Sequence, residues 1–495
     1  MNLATLIDGH PDGDVALVSR GRPTTYGSLS MQVASLRGAF AARGVGAGDT
    51  VALLCGNSRY FVVSYLAALG VGAAVAPLNP TSPAPEIDKE LLGVTPKMAV
   101  VEPSAHAVWR QLPETTRSSV SLVVSTEGHD LPGALAIEDL LVHAPVPVVD
   151  VEPSHHAVYM FTSGTAGAPR AAVLTHGNLL ANIQQSRVAN RIEKGDVVFG
   201  VLPLFHIFGL NVMLAAALYG GATVVLVQRF DPLSAVETFE ERAVTVVPGA
   251  PSMWAAFSQM DTLPVDTFSR VRLALSGAAK LPEQVAHDLH TRFGLKVWEG
   301  YGLTEASPVV TTSLGGRWIP GSIGRPVPGV ELRVVDENGE DVLAGDAGEI
   351  LVRGNNVFVG YLNDPEATAR VLTPDGWLLT GDIATIDDDG HLFMVDRAKD
   401  LIIVSGFNVY PGEVEDALSF HPDIEAAAVV GTPHPHTGET VRAYVVTRPG
   451  AHLDEDSVVD HCRARLARYK CPTKVLFVDE LPRTATGKVR RHALS

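Results

Sequence analysis

The chain has 495 residues with 46% hydrophobic and 19% charged residues, and 38 basic against 55 acidic side chains give a formal net charge of −17. The length exceeds what one core can organise and implies two or more domains, and the apolar fraction excludes a disordered chain. The acidic balance argues against nucleic acid or an anionic membrane surface as a partner, although a few placed cations can still serve an anionic small substrate.

The N-terminus carries Asp8 before any basic residue, so no secretory leader is expected, and the final residues His492-Ala493-Leu494-Ser495 match no peroxisomal or lipidation signal. Gly44-Val45-Gly46-Ala47-Gly48 precedes a strand rather than following one and is read as a turn, not a dinucleotide loop. The chain then predicts a strand at Thr50–Leu54, a helix over 60–69 and a strand over 73–76. Later strands are expected at 157–161, 197–202, 222–227, 244–247 and 271–275, with helices at 233–241 and Glu283–Phe293 between them. Short apolar strands alternating with amphipathic helices point to parallel sheets covered on both faces. Two long uncharged stretches, 61–85 and 197–228, are long enough to cross a bilayer, but Gly70, Gly72, Pro77 and Pro80 punctuate the first and Pro203, His206, Gly209, Asn211, Gly220 and Gly221 the second. Both are read as buried helix-and-strand units, so no transmembrane segment is expected.

After Gly321 the texture changes. Turns such as Glu337-Asn338-Gly339 and Asp387-Asp388-Asp389-Gly390 separate alternating strands at Val330–Val335 and 349–352, which predicts a small antiparallel β-subdomain or barrel over about 321–395. The last hundred residues read as a separate α+β unit, with helices at Pro411–Ser419 and 456–466 and strands at 426–430, 443–447 and 474–478. Basic residues concentrate in 465–474 and in the tail 483–491. The fold class is therefore α/β: a large N-terminal domain of parallel and mixed sheets covered by helices, a small β-barrel-like subdomain, and a small α+β C-terminal domain. Cys55, Cys462 and Cys471 have neither a disulfide framework nor metal-ligand spacing, which fits a reducing cytoplasm.

The strand at 157–161 runs into Thr162-Ser163-Gly164-Thr165-Ala166-Gly167-Ala168-Pro169-Arg170. Glycines allow close approach and positive φ, while hydroxyls and backbone N–H groups converge on an anion. A nucleotide-phosphate loop is one reading and an ordinary Gly/Ser/Thr/Pro loop the other. It is not a Walker loop, because Gly-x-x-x-x-Gly-Lys-Ser/Thr is missing from it.

Four further segments carry chemistry. Ser276-Gly277-Ala278-Ala279 follows a strand and offers a flat, small-residue surface. Glu299-Gly300-Tyr301-Gly302-Leu303-Thr304-Glu305 places an aromatic ring, a hydroxyl and a carboxylate close together. Thr380-Gly381-Asp382 ends in an acid in a turn, and Thr486-Gly487-Lys488 puts a lysine on a Gly/Thr loop near the end. Singly, each has a plain reading as a core aromatic, a turn acid or a surface charge. In this order and spacing the chain resembles, over essentially its whole length, the adenylate-forming superfamily of acyl-CoA synthetases, peptide adenylation domains and firefly-type luciferases. The form Glu299-Gly-Tyr-Gly-Leu-Thr-Glu305 is most similar to the fatty-acyl-CoA synthetase branch.

The resemblance implies ATP, Mg²⁺ and coenzyme A as reactants and cofactor, and a small carboxylic acid as substrate. Activation to acyl-AMP with pyrophosphate release would precede thioester formation. It implies that Thr162, Ser163, Gly164, Thr165, Gly167 and Arg170 hold the β- and γ-phosphates and that Thr304 contacts the α-phosphate. Glu305, with Thr165, would help coordinate Mg²⁺, which takes oxygen ligands. Tyr301 would stack on adenine opposite Ser276, Gly277, Ala278 and Ala279, within a segment that includes Glu299, Gly300 and Gly302. Asp382, helped by Arg397, would take the ribose hydroxyls. Lys488 would neutralise charge as the carboxylate attacks. The implied domains are 1–397 and 398–495, with a hinge at Lys399, after which Ser405 and Gly406 would line a pantetheine tunnel in a mobile C-terminal domain.

For His206, in Pro203-Leu204-Phe205-His206-Ile207-Phe208-Gly209, two readings stand: a gate or neighbour of the substrate carboxylate, and a packed histidine. His155 and His156 lack a partner at metal spacing and are read as structural. Met253, Trp254 and Trp298 are candidates for the acyl-pocket floor. Four positions depart from the family pattern: Arg170-Ala171 stands where lysine and glycine are usual, Lys280 where proline is common, and Asn408 where some relatives carry a cation. The apolar character of 201–218 favours a fatty or other hydrophobic acid. An acyl-AMP ligase that loads an acyl carrier protein shares the motif set. A non-catalytic relative would have lost Glu305, Asp382 or Lys488, and all are present. Monomer and homodimer are both compatible with the sequence.

Overall fold

The computed structural model describes the whole chain except residues 129, 163–169, 398–399, 405–406, 435–436, 485–487 and 495, and the side chains of 397, 408, 438 and 492. Its first sheet has eight strands. Strand β1 (Thr50–Leu54) pairs in parallel with β2 (Ala74–Leu78) on one side and with Met98–Val101 on the other, and all three are buried along their length. Between β1 and β2, helix α1 (Arg59–Gly70) is capped by the Ser58 hydroxyl and buries every residue from Phe61 onward. The uncharged run 61–85 is thus a core helix, a turn through Gly72 at φ +81 and a core strand. Among the described residues no helix is long and apolar enough to cross a membrane.

The sheet continues through β3 (His156–Thr162), parallel to β2, and turns antiparallel into β4 (Arg170–Thr175). The register sets Thr162 opposite Arg170, and residues 163–169 of the expected phosphate loop lie outside the described residues.

The second sheet runs through thirteen strands. Its parallel part includes Val197–Gly200, Thr223–Leu226, Val246–Gly249, β5 (Leu273–Ser276) and β6 (Val297–Gly302). Two strands sit about two residues later than their apolar runs suggest. Val244 is fully buried, but its N–H closes the preceding helix on the Phe239 carbonyl at 3.1 Å instead of joining the ladder. The run 197–228 holds another difference: Phe208–Ala215 is a π-helix leading into an α-helix over Ala216–Gly220. Asn211, buried in that turn, donates to the carbonyls of Leu179 and Ser307 at 3.2 and 2.7 Å.

From Val309 onward the ladder becomes antiparallel and carries Ser322–Pro326, Val330–Val335, Ala347–Gly354, β7 (Leu378–Ile386) and β8 (Leu392–Arg397). The β-rich unit expected after 321 is therefore joined edge to edge to the parallel half.

The small C-terminal domain has a five-stranded sheet, with α2 (Pro411–Ser419) and Glu455–Arg463 packed on it. The second helix starts one residue before the expected 456, behind an Asp454–Ser457 capping box, and ends three residues short of 466. Cys462 and Cys471 are buried in this domain's core and Cys55 in the large one, with burial pushing each thiol up. The domains touch through the Lys280–Asp416 ion pair at 2.5 Å and a Gly412 N–H donating to Asp396 Oδ2 at 2.6 Å.

Candidate active site

Strands β5 and β6 run side by side with Ser276 opposite Glu299, so the segments that follow them emerge together from one sheet edge. The Ser276 hydroxyl is buried and, among the described residues, finds no partner. Ala278 adopts φ +71, a left-handed conformation that costs an L-residue about 1–2 kcal/mol and places a strained turn at the strand end. A Cβ on Gly302 would meet the Pro308 carbonyl oxygen at 2.1 Å, so that position requires glycine, while one on Gly277 would sit tightly at 3.2 Å from the Phe208 ring. Gly300 lies between them, its missing side chain facing the Thr311 carbonyl at 3.1 Å.

The Tyr301 hydroxyl donates to Asp382 Oδ2 at 2.7 Å. Asp382 lies on β7, only 3% exposed and in register with Arg397 on β8, and its N–H donates to the Thr380 hydroxyl at 3.1 Å. Residues 81 positions apart in sequence thus form one face beside Ser276 to Ala279. Glu299 is used differently from its neighbours. Its carboxylate is buried and accepts the N–H groups of Leu281 and Gly321, both at 3.1 Å, and burial pushes its pKa up to about 7. Its side chain staples the loops after β5 and before Ser322–Pro326; any contact with a nucleotide would come from its backbone.

Thr304, Glu305 and Ala306 make a short 3₁₀ turn just after β6. Glu305 Oε1 accepts the Tyr361 hydroxyl at 2.8 Å, and the Glu305 carbonyl accepts the Phe358 N–H at 2.8 Å. Arg170 joins the same group: its Nε pairs with Asp364 at 3.1 Å and its guanidinium lies 5.8 Å from the centre of the Tyr361 ring. The arginine that stands for lysine at the loop's end is therefore held by an acid, and Tyr361 and Asp364 are site residues that motif reasoning missed. Asp364 caps the helix Pro365–Val371, and the pattern Asp-Pro before a helix was the available signal. The Thr162 hydroxyl donates to the Arg170 carbonyl at 3.5 Å, closing the hairpin mouth. Ser163, Gly164, Thr165, Gly167, Lys399, Ser405 and Gly406 lie outside the described residues, as does the side chain of Arg397.

His206 sits in the turn before the π-helix, where Nδ1 accepts the Phe208 N–H at 3.2 Å. Its remaining proton is then on Nε2. Burial first, and then the charge of Lys488, push its pKa down to about 4, so the ring is neutral at pH 7 and can donate one hydrogen bond. The same effect places Lys488, from the other end of the chain, within electrostatic reach of His206. A cavity of about 540 Å³ opens nearby, between Leu202, Pro203, Phe205 and Met253 on the large domain and Arg483 and Thr484 on the tail. Of the three floor candidates, Met253 lines this cavity. Trp254 does not: it is sealed in the core, with Nε1 donating to the Leu275 carbonyl at 3.1 Å. Trp298 packs against the main core. His155 and His156 bond to the Gly72 carbonyl and the Tyr159 hydroxyl at 2.8 and 3.0 Å.

The family model described as AMP-binding enzyme matches residues 4–362, and the model of the AMP-binding enzyme C-terminal domain matches 413–488. A feruloyl-CoA synthase from an Amycolatopsis species is 37% identical over 472 residues, covering 95% of this chain and 93% of that protein. A long-chain-fatty-acid–CoA ligase of Bacillus subtilis is 33% identical over 509 residues, covering 96% and 90%. The crystal structure of ATP-bound MatB from Rhodopseudomonas palustris superposes with a TM-score of 0.92 at 32% identity, covering 100% of this chain and 98% of that one.

Proposed function

Because the chain belongs to the family of AMP-binding enzymes and is an AMP-forming acid–thiol ligase with ATP, CoA and a small carboxylic acid as substrates, we propose that its acid is a fatty or other hydrophobic one, and that two half-reactions occur in turn. In the first, a carboxylate oxygen attacks the α-phosphorus of ATP and pyrophosphate leaves. In the second, the CoA thiolate attacks the acyl carbon of acyl-AMP and AMP leaves. Both reactants of the first step are anionic, so the protein's part is positioning and charge neutralisation.

Two observations carry this reading: the tail cation Lys488 acts on buried, neutral His206, and Tyr301 is hydrogen-bonded to Asp382. Tyr301 would stack on adenine against residues 276–279, and Asp382 would accept the ribose hydroxyls with its remaining lone pairs, aided by Arg397. The segment from Thr162 to Arg170 would cradle the β- and γ-phosphates, with the α-phosphate on Thr304. Neutral His206 would donate from Nε2 to the substrate carboxylate, and Lys488 would meet the charge that develops between carboxylate and phosphate. With one Glu305 oxygen on Tyr361, the other suits a hard cation, so Glu305 with Thr165 would hold Mg²⁺. When bound, that ion would offset the phosphate charge.

The acid preference rests on the wall beside this point. The π-helix Phe208–Ala215 is apolar apart from buried Asn211, and the Phe208 ring lies against Gly277. For the second half-reaction we place the domain boundary after 397 and the hinge at Lys399, with Ser405 and Gly406 along the pantetheine path.

Acid-dependent pyrophosphate release from purified protein with ATP and Mg²⁺ tests the proposal, across short to long fatty acids, aromatic acids and dicarboxylic acids, with and without CoA. The expected result is release with fatty or apolar acids that rises with CoA and yields the acyl-CoA mass. Failure of every fatty acid from short to long chain, with turnover of aromatic or dicarboxylic acids, would reject the acid assignment. Release unaffected by CoA, with acyl-AMP retained on the protein, would favour delivery to a carrier-protein pantetheine instead.

A further inference from the structure

The tail that bears Lys488 is folded on itself. The Thr484 N–H donates to the Lys488 carbonyl at 2.7 Å, the Lys488 N–H to the Thr484 hydroxyl at 3.1 Å, and the Arg490 N–H to the Pro482 carbonyl at 2.8 Å. These bonds shape the tail but do not determine where it sits on the rest of the molecule.

Arg491 supplies that connection. Its Nε and Nη2 take the two oxygens of Glu415 at 3.1 and 2.7 Å as a fork, while Nη1 reaches Asp400 at 3.1 Å and Asp396 at 3.3 Å. Glu415 lies on α2 of the small domain, and Asp400 lies just after 398–399. Asp396 lies before them, on β8, paired in the ladder with Ile383 of β7. One guanidinium therefore joins the tail to both sides of the connection between the domains. The Asp396 side chain is only 3% exposed, and its other oxygen accepts the Gly412 N–H in the first turn of α2.

The lever is short. Arg491 is three residues beyond Lys488, and three residues span at most about 10 Å. At the other end, Asp396 is one rung along β8 from the residue facing Asp382. A continuous path leads from the nucleotide face through one ladder position and one ion pair to the lysine. The Asp396 contact is also the one a rotation about 398–399 would break, whereas those to Asp400 and Glu415 travel with the small domain.

We propose that Arg491 is a positioning residue for adenylation, clamping the tail to Asp396 across the interdomain connection so that Lys488 is held against the nucleotide site during the first half-reaction only. This rests on the two-step reading above. It touches neither substrate nor reacting atoms, and its effect passes through Lys488.

The test measures the half-reactions separately, on full-length protein with an acid the wild type turns over. Adenylation is followed as acid-dependent ATP–pyrophosphate exchange, and thioester formation as CoA consumption from supplied acyl-AMP. Arg491→Ala is expected to lower the adenylation kcat about 10- to 100-fold with little change in KM for ATP, because a misplaced catalytic group costs rate more than binding. Thioester formation should stay within about threefold of wild type, since the Asp396 contact is not used there. Arg491→Lys should recover part of the loss, a point charge replacing the fork incompletely. Asp396→Asn keeps the arginine folded on Glu415 and removes only the large-domain end, so it should show the same split even if Arg491→Ala fails to fold. Equal loss of both half-reactions in these variants, or unchanged adenylation in both Arg491→Ala and Asp396→Asn, overturns the assignment. Lys488→Ala is run in parallel. If it too loses both half-reactions alike, the two-step reading falls and takes this one with it; if it separates them and the Arg491 and Asp396 variants do not, only the role of Arg491 falls.

Discussion

The nucleotide face and the lysine tail are built by opposite means. The face stands on hydrogen-bonded ladders: Ser276 and Glu299 are ladder partners, Asp382 and Arg397 are ladder partners, and a buried carboxylate staples two of the loops. The far end of the tail is held by side chains instead, through Arg491 with its three acids and the Tyr444 hydroxyl donating to the Leu494 carbonyl. A ladder fixes groups to a fraction of an ångström and cannot let go; ion pairs across a connection can be exchanged as a unit. A reaction in two steps needs both, an unmoving place for the adenylate and a cation that can be withdrawn from it.

The largest effect should come from removing the cation. Lys488→Ala is expected to lower adenylation by about 10²–10³-fold, the range seen when one charge-stabilising group is lost from an active site. It should leave consumption of supplied acyl-AMP by CoA nearly intact, and equal loss of both would break the contrast drawn here. Next comes the face. Asp382→Asn should raise the KM for ATP about 10- to 100-fold, because the variant keeps one acceptor but loses the charge that Tyr301 and, on the proposed reading, two ribose hydroxyls share. Here adenylation and thioester formation should suffer together, since acyl-AMP carries the same ribose. A defect confined to one half-reaction would mean that Asp382 does not serve the nucleotide in both.

Glu299 tests whether the face is stiff because of its staple. Its folded pKa is about 7 against an ordinary 4.5, so folding favours the protonated form. That contribution is fully present below about 4.5 and is lost as pH rises through about 7; its full size is a few kcal/mol at most. Glu299→Gln cannot titrate and turns an amide N–H toward a backbone N–H, at a cost of about 1–3 kcal/mol. The variant's deficit in thermal midpoint should be largest near pH 5 and shrink toward pH 8. A deficit that grows with pH would reverse the sign and reject a protonated staple.

How much of this was legible beforehand depends on what kind of contact carries it. Tyr301, Asp382 and Lys488 read singly as a core aromatic, a turn acid and a surface charge, and only the order and spacing of their segments, through the family resemblance, singled them out. The strands and helices at Thr50–Leu54, Glu283–Phe293, Val330–Val335 and Pro411–Ser419 follow from periodicity alone. Arg491 was visible only as one of several cations in a basic tail, because what singles it out is three acids 76 to 95 positions away. Tyr361 and Asp364 were missed for the same reason: Arg170 and Glu305 find them through folding. The π-helix at Phe208–Ala215 leaves no trace in the apolar pattern, since every residue from Gly209 to Ala215 is buried and no exposed face reports the pitch.

The smallest effect belongs to Lys280, the residue that replaces a common proline. It follows β5 and the adenine-side segment, yet its ammonium is turned outward to Asp416 on α2, a side chain 44% exposed. An ion pair so open to water is worth at most about 1 kcal/mol and weakens with salt. Its importance is directional. The pair exists only while the small domain lies as it does here, so it adds its fraction of a kcal/mol to the arrangement that brings Lys488 to His206 and nothing to any other. Lys280→Ala should therefore slow adenylation by about twofold to threefold at low ionic strength and leave thioester formation unchanged or slightly faster. Salt near 0.5 M should erase the difference from wild type, because screening already removes the pair there. A defect that persists at high salt would mean that Lys280 acts through its packing against the loop after β5, and hence on the face instead of on the balance between the two arrangements.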